Sequence, residues 1–313
     1  MVRFPQSDDL NRRRFLRTLS ESLSLAAVWA AGQFFILPPA PGEPSAHGPV
    51  TGIVWQVDAA TAQPRGNWQR LGADHLLIQW IVVDGIGFAP GLGTKKPPRL
   101  PDWHRIGAEP WADHVILGLE GDFSENNARA NVLRLAEGSA AAARERLPLN
   151  IEGYYFPVEV DPTWRQAPDV MPEALAMLPR PLWISVYDSA NIGGGPLADW
   201  LATWLPDDVG VFFQDGVGVE ARSPETARAY ADALAARLGK ARLRIITEAF
   251  RPREGGGFRA ATAEELASQI NAMRGYDLYL FDGPHYIDDA LIERVAGILA
   301  DAHPEPPISA EAR

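Results

Sequence analysis

Short apolar runs alternate with stretches of helical period from Thr51 to Leu299. The apolar runs have strand length, and most close on polar residues: Thr51–Gln56, His75–Trp80, His114–Leu119, Asn150–Glu159, Pro181–Tyr187, Val209–Gln214, Leu243–Thr247 and Asp277–Phe281. Between them the spacing predicts helices over residues 67–72, closed by Gly72, around Trp103 to Trp111, and over 125–146, where only Gly138 interrupts. Further helices are expected over Met171–Leu178, Leu197–Trp204, Pro224–Leu238 and Asp288–Leu299. Ser223 has the chemistry of an N-cap with Pro224 in the first turn, and Thr262-Ala-Glu-Glu265 reads as the capping-box start of one more helix. Val82–Pro101, rich in Gly and Pro, reads as a long loop.

A count of eight strands, each followed by a helix, over about 250 residues is that of a (β/α)8 TIM barrel, an α/β fold. A doubly wound open sheet would carry a phosphate-binding glycine turn after its first strand, where this chain has Trp55-Gln56-Val57-Asp58. The late runs Gly193–Gly195 and Gly255–Gly257 read as mobile loop segments. The barrel is expected over residues 51–302, with a linker at 41–50 and a flexible tail at 303–313.

The N-terminal 40 residues have a different pattern. Asn11-Arg-Arg-Arg-Phe-Leu-Arg17 resembles a twin-arginine export motif, and the apolar Leu23–Leu37 that follows suits the core of a signal segment and is short for a membrane span. The expected destination is the periplasm or the exterior; an uncleaved segment would tether the chain to a membrane.

Composition adds exclusions. The formal charge of −11 argues against a nucleic-acid partner. The chain has no cysteine, which removes disulfides, thiolate nucleophiles and cysteine-held metals.

In such a barrel the downstream strand ends converge on one face. They carry Trp55 and Gln56, Gln79 and Trp80, Glu120, Tyr155 and Glu159, Tyr187 and Asp188, Gln214 and Asp215, Glu248, then Asp282 and His285. Amides, carboxylates and aromatic faces suit a carbohydrate. Glu159 and Glu248 close the fourth and seventh strands, and paired carboxylates are what acid/base chemistry on a glycosidic bond requires. Each has a structural alternative: Glu159 as an ion-pair partner of Arg165, Glu248 of Arg251 or Arg253. The remaining strand-end residues, Asp282 and His285 included, are expected to position substrate, and no metal or cofactor is expected. Trp103, Trp111 and Trp164 are either sugar platforms or packing beneath their own loops.

The blocks Gly-Ile-Val-Trp-Gln56, Leu-Leu-Ile-Gln-Trp80, Gly-Tyr-Tyr-Phe-Pro-Val-Glu159, Phe-Phe-Gln-Asp-Gly-Val-Gly218 and Thr-Glu-Ala-Phe250 resemble, in this order, those of an uncharacterised bacterial family known as domain of unknown function 4434. That family is regarded as TIM-barrel glycoside hydrolases. The chain is also similar, more loosely, to the clan of retaining barrel glycosidases. That likeness implies Glu159 as acid/base and Glu248 as nucleophile, although Val158 stands where many of the clan carry Asn. The expected activity is hydrolysis of a polysaccharide or oligosaccharide. The rivals are a non-catalytic sugar-binding barrel in exopolysaccharide assembly and a metal-dependent hydrolase or deacetylase built on Asp282 and His285.

Export is expected to depend on the arginine pair, because the translocase reads it directly. Replacing Arg12 and Arg13 by Lys should trap the protein in the cytoplasm on cell fractionation; undiminished export would refute the twin-arginine reading.

Overall fold

The computed structural model describes residues 48–302. The signal segment 1–40, the linker up to residue 47 and the tail 303–313 lie outside the described residues. Eight parallel strands close into a barrel: β1 (Gly52–Trp55), β2 (His75–Ile78), β3 (His114–Gly118), β4 (Ile151–Val160), β5 (Leu182–Val186), β6 (Val209–Gln214), β7 (Leu243–Glu248) and β8 (Leu278–Phe281). Each strand pairs with its successor, and β8 returns to β1 through Gly52 opposite Tyr279. Among the described residues no helix is long and apolar enough to cross a membrane.

Strand alternation divides the core in two. Val54, Leu77, Ile116, Tyr155, Phe212, Ile246 and Tyr279 point inward and fill the barrel. Their neighbours Ile53, Leu76, Ile78, Val115, Leu117, Phe156, Val211 and Leu280 point outward and pack beneath the helices. The helical layer comprises α1 (Glu125–Ala130), α2 (Val132–Ala142), α3 (Ala167–Ala176), α4 (Gly194–Ala202), α5 (Pro224–Leu238), α6 (Ala263–Ala272) and α7 (Asp289–Ala302), with one-turn helices between.

Four local expectations are corrected. The predicted helix over 125–146 breaks at Asn131, whose side-chain amide donates to the Asn127 carbonyl at 2.8 Å and competes with the helical ladder. Residues 67–72 form a single 3-10 turn, Trp68–Leu71, ended by Gly72 at φ 98°. The Val82–Pro101 segment contains a hairpin, Val82–Val83 against Ile86–Gly87, which adds Glu120–Gly121 as a third strand. The glycine runs serve packing and turning: Gly193 caps α4 and donates to the Tyr230 hydroxyl at 2.8 Å, and Gly255–Gly257 turn the hairpin between Phe250–Pro252 and Phe258–Ala260 with positive φ throughout.

Both predicted caps form. The Ser223 hydroxyl accepts from the Thr226 N–H at 3.2 Å, and Thr262 and Glu265 bond reciprocally at the start of α6. Thr262→Ala should therefore lower stability by about 1 kcal/mol, read as a shift of the urea midpoint with unchanged slope.

Candidate active site

The long strand β4 controls the site. Phe156, Val158 and Val160 are buried toward the helices, which turns Tyr155, Pro157 and Glu159 toward the barrel mouth. There they line a cavity of about 30 Å³ together with Gln79, Ser185 and Gln214. The Gln214 amide donates to Glu159 Oε2 and, at 2.7 Å, to Ser185 Oγ, whose hydroxyl also shares a hydrogen bond with Tyr155. One β6 amide thus sets the carboxyl of β4 against the hydroxyl of β5.

Glu159 has two further neighbours, neither of them at a strand end. Glu125, in the first turn of α1, lies against its carboxyl, and Arg129, one turn on, bridges the pair. The guanidinium is 3.1 Å from Glu125 Oε2 and 4.0 Å from Glu159 Oε1, donates to the Glu159 carbonyl at 3.2 Å, and rests on the Trp164 ring at 5.7 Å. Arg129 therefore occupies the role considered for Arg165. Burial, and after it the neighbouring Glu125, hold the Glu159 carboxyl well above the ordinary range; Arg129 and Gln214 oppose this without cancelling it. A carboxyl so placed carries a proton where a solvated one would not.

Glu248 closes β7 but does not line the cavity. It is 2 % exposed, and the 216–219 loop lies over it: Val219 N–H donates to Glu248 Oε2 at 3.1 Å, and a methyl at Gly218 would collide with the Glu248 side chain. Burial, then Asp215, push its pKa up to about 8. The nearby cation is Arg222, stacked on Tyr230 at 4.6 Å and on Tyr187 at 5.2 Å. Arg251, expected in that role, donates instead to the Glu248 and Phe250 carbonyls and to Gln269. Tyr187 feels the charge of both Glu159 and Glu248, so the two carboxyls flank one region of the mouth.

Other predicted contacts belong to the framework. Trp55 points outward, donating to Thr61 Oγ1 at 3.1 Å and packing on Trp103 at 5.8 Å. Trp80 lines the cavity by its edge while its N–H is taken by the Val57 carbonyl at 3.0 Å. Gln56 and Gln79 are buried, each with one amide atom, Nε2 and Oε1 respectively, lacking a partner among the described residues. Glu120 pairs with Arg134 at 2.8 Å and faces a separate open groove of about 1040 Å³. Asp215 is fully buried, accepting from Gln269 at 2.9 Å and from the Val217 and Glu248 N–H groups. Trp103, Trp111 and Trp164 are all buried packing residues.

Asp282 and His285 stand apart from the cavity. Beyond the cis peptide after Phe281, His285 Nδ1 meets Asp282 and its Nε2 meets Asp58 Oδ2 at 3.0 Å. Both ring nitrogens are thus engaged by carboxylates within a chain that fastens the β8 loop to the β1 loop.

No family model matches the chain, the resemblance to domain of unknown function 4434 included, and no curated protein matches it. Solved structures do. A Bacteroides thetaiotaomicron protein described as a candidate alpha-L-fucosidase is 15% identical, covers 88% of this chain and 98% of its own, and has a TM-score of 0.51. A chitinase from Chromobacterium violaceum is 14% identical over 80% of this chain and 99% of its own, at a TM-score of 0.42. The glycoside hydrolase domain of PgaB (BpsB) from Bordetella bronchiseptica is 12% identical over 80% and 99%, at 0.47. At such identities the likeness is one of fold: a closed eight-stranded barrel of a kind that glycoside hydrolases use.

The raised carboxyls carry a stability signature. A carboxyl whose pKa rises on folding holds its proton more tightly in the native state. Its contribution is therefore intact below the unfolded value of 4.5 and is lost as pH rises toward about 8 for Glu248. Thermal midpoints should fall across that window, and Glu248→Gln should remove part of the fall; an unchanged pH profile in the variant would contradict the buried assignment.

Proposed function

We propose that the barrel is an exported glycoside hydrolase in which Glu159 is the general acid. The observation that carries this reading is the placement of Glu159, buried at the end of β4 beside Glu125 and held by Gln214 at a cavity in the C-terminal mouth, where burial raises its pKa well above the ordinary range. Glu159 delivers its proton to the glycosidic oxygen as the bond to the anomeric carbon breaks. Glu248, as nucleophile, forms the bond that replaces it, giving a covalent glycosyl-enzyme and a retaining mechanism. Glu159, now ionised, takes a proton from the water that releases the sugar, which restores both groups. Gln79 and Tyr155 contact the sugar, and no metal takes part in the reaction.

This assignment sets three requirements. A cavity of about 30 Å³ holds one water, so a sugar ring enters only when the mouth opens. The 216–219 loop must also lift from Glu248, and Glu248 must lose its proton. The acid limb of kcat/KM should accordingly be displaced upward toward about 8, the value set by burial and Asp215. The covered position of Glu248 favours one rival, a sugar-binding barrel that retains the amides and aromatics without turnover.

Mutation separates the two readings. Glu159→Gln should slow turnover about 10²–10⁴-fold on a substrate identified from a glycan panel, and less where the leaving group departs without protonation. Glu248→Ala should lose nearly all activity, with azide restoring some as the inverted glycosyl azide. Tyr155→Phe should cost far less. Glycan binding without hydrolysis, or near-normal rates in both glutamate variants, would leave the binding barrel as the better account.

A further inference from the structure

The opposite end of the barrel carries a second constellation. His75 begins β2 and His114 begins β3, and the two are register partners in the sheet. Their rings stack with centroids 4.6 Å apart. Glu152, near the start of β4, meets His114 Nδ1, and one ligand atom from each of His75, His114 and Glu152 lies within 4.8 Å of the other two. Two imidazoles and a carboxylate from three adjacent strands therefore converge on one point.

We propose that His75, His114 and Glu152 bind one divalent transition-metal ion, zinc by the preference of that donor set, and that the ion clamps β2, β3 and β4 at the N-terminal mouth.

Three features around the cluster support this. Asp74 Oδ1 lies 2.5 Å from His75 Nδ1, the carboxylate–imidazole arrangement that orients a metal-bound histidine and leaves Nε2 as the donor. Tyr279, fully buried, has a hydroxyl with no partner among the described residues, and its ring lies at a steep angle to that of His75 with centroids 6.2 Å apart. A zinc ion with three protein ligands keeps a fourth position for water, and a water there supplies that hydroxyl with a partner. The local charge also favours a cation: Asp74 and Asp113 stand beside the cluster and Glu152 belongs to it, while Arg244, whose charge reaches His75, lies over the Trp183 ring at 4.1 Å.

Zinc binds nitrogen and oxygen at about 2.0–2.2 Å, so the three ligand atoms need close only by small side-chain rotations, and the half-exposed Glu152 leaves a path from solvent. The site lies away from the strand ends that hold Glu159 and Glu248. Its role is stability, as befits a site at the lower face of the barrel, opposite the strand ends where chemistry is placed. It stands whether or not the barrel cleaves glycosides.

The test uses untagged full-length protein, stripped with EDTA and desalted. Reloading with zinc chloride should leave one zinc per chain after a second desalting and raise the thermal midpoint. Cobalt should give the visible absorption of a four-coordinate site. His114→Ala and Glu152→Gln should abolish retention and the cobalt band, and Asp74→Asn should weaken binding about 10–100-fold. Glu152→Gln, at a partly exposed strand start, keeps the test valid if His114→Ala fails to fold; equal midpoints of the metal-free proteins confirm this. Failure of the wild type to retain zinc, or retention undiminished in Glu152→Gln, would overturn the assignment and leave a stacked histidine pair held by its carboxylates.

Discussion

The burial of charge at one mouth of a closed barrel is the constraint on which the rest of the structure depends. Glu159, Asp161, Asp188, Asp215, Glu248 and Asp282 are all buried there, and among the described residues the buried arginines are Arg222 and Arg251 alone. Carboxylates taken out of water in that excess must be bonded, or protonated, or both. The surrounding architecture meets this requirement group by group. Asp161 accepts from Thr163 and from the Ser189 N–H, Asp188 from Tyr230, Asp215 from Gln269, and Glu248 from Val219. Loops that would otherwise be free are thereby sewn to strand ends, so the electrostatics of the mouth and its rigidity have a common origin. Glu159 and Glu248 each have another carboxyl as neighbour, Glu125 and Asp215 respectively, and in both burial first and that neighbour second raise the pKa.

Much of this was legible in the sequence because a barrel strand carries a period of two and a fixed exit face. The inward set at the mouth, Gln79, Tyr155, Glu159 and Gln214, follows from that parity once the strands are found. Trp55 shows the limit: a residue at a strand end shifts face with a change of one position, and it lies outside with Ile53. Glu125 was not legible by the same rule, since it sits beyond a strand end, in the first turn of a helix, where an acid has an ordinary explanation as a partner of the helix dipole. Only the fold reveals that α1 leans over β4. That the cation acting on Glu248 is Arg222 was hidden for a related reason, because Arg222 arrives on the loop after β6.

Closure of the mouth is the physical problem that any function at this face must solve. Trp80, with Phe123 edge-on at 4.8 Å, and Pro157 wall the cavity on the α1 side, and the 216–219 loop covers Glu248 beside it. The open groove beside Glu120 meets the small cavity at Asp122, which lines both. Asp122 and Asp84 are themselves adjacent, and burial followed by Asp122 raises the Asp84 carboxyl, although its hydrogen bond from Phe123 N–H at 3.1 Å opposes the rise. That pair stands on the two-strand extension made by Val82–Val83 and Glu120–Gly121, which fixes the groove wall to the barrel.

Such a geometry couples access to ionisation. While the mouth is shut, burial raises the pKa of both Glu159 and Glu248, and the nucleophile of the proposed mechanism must be ionised to react. Each carboxyl has burial and a neighbouring acid as causes, Asp215 for Glu248 and Glu125 for Glu159; in the proposed mechanism, lifting the 216–219 loop would relieve the burial of Glu248 in particular, because Val219 and Gly218 lie against it. An opening that admitted a sugar in the proposed mechanism would thus relieve the two carboxyls unequally and separate their tendencies to hold a proton. Hydrolysis requires that difference, and a pair of glutamates equally exposed to solvent would not provide it.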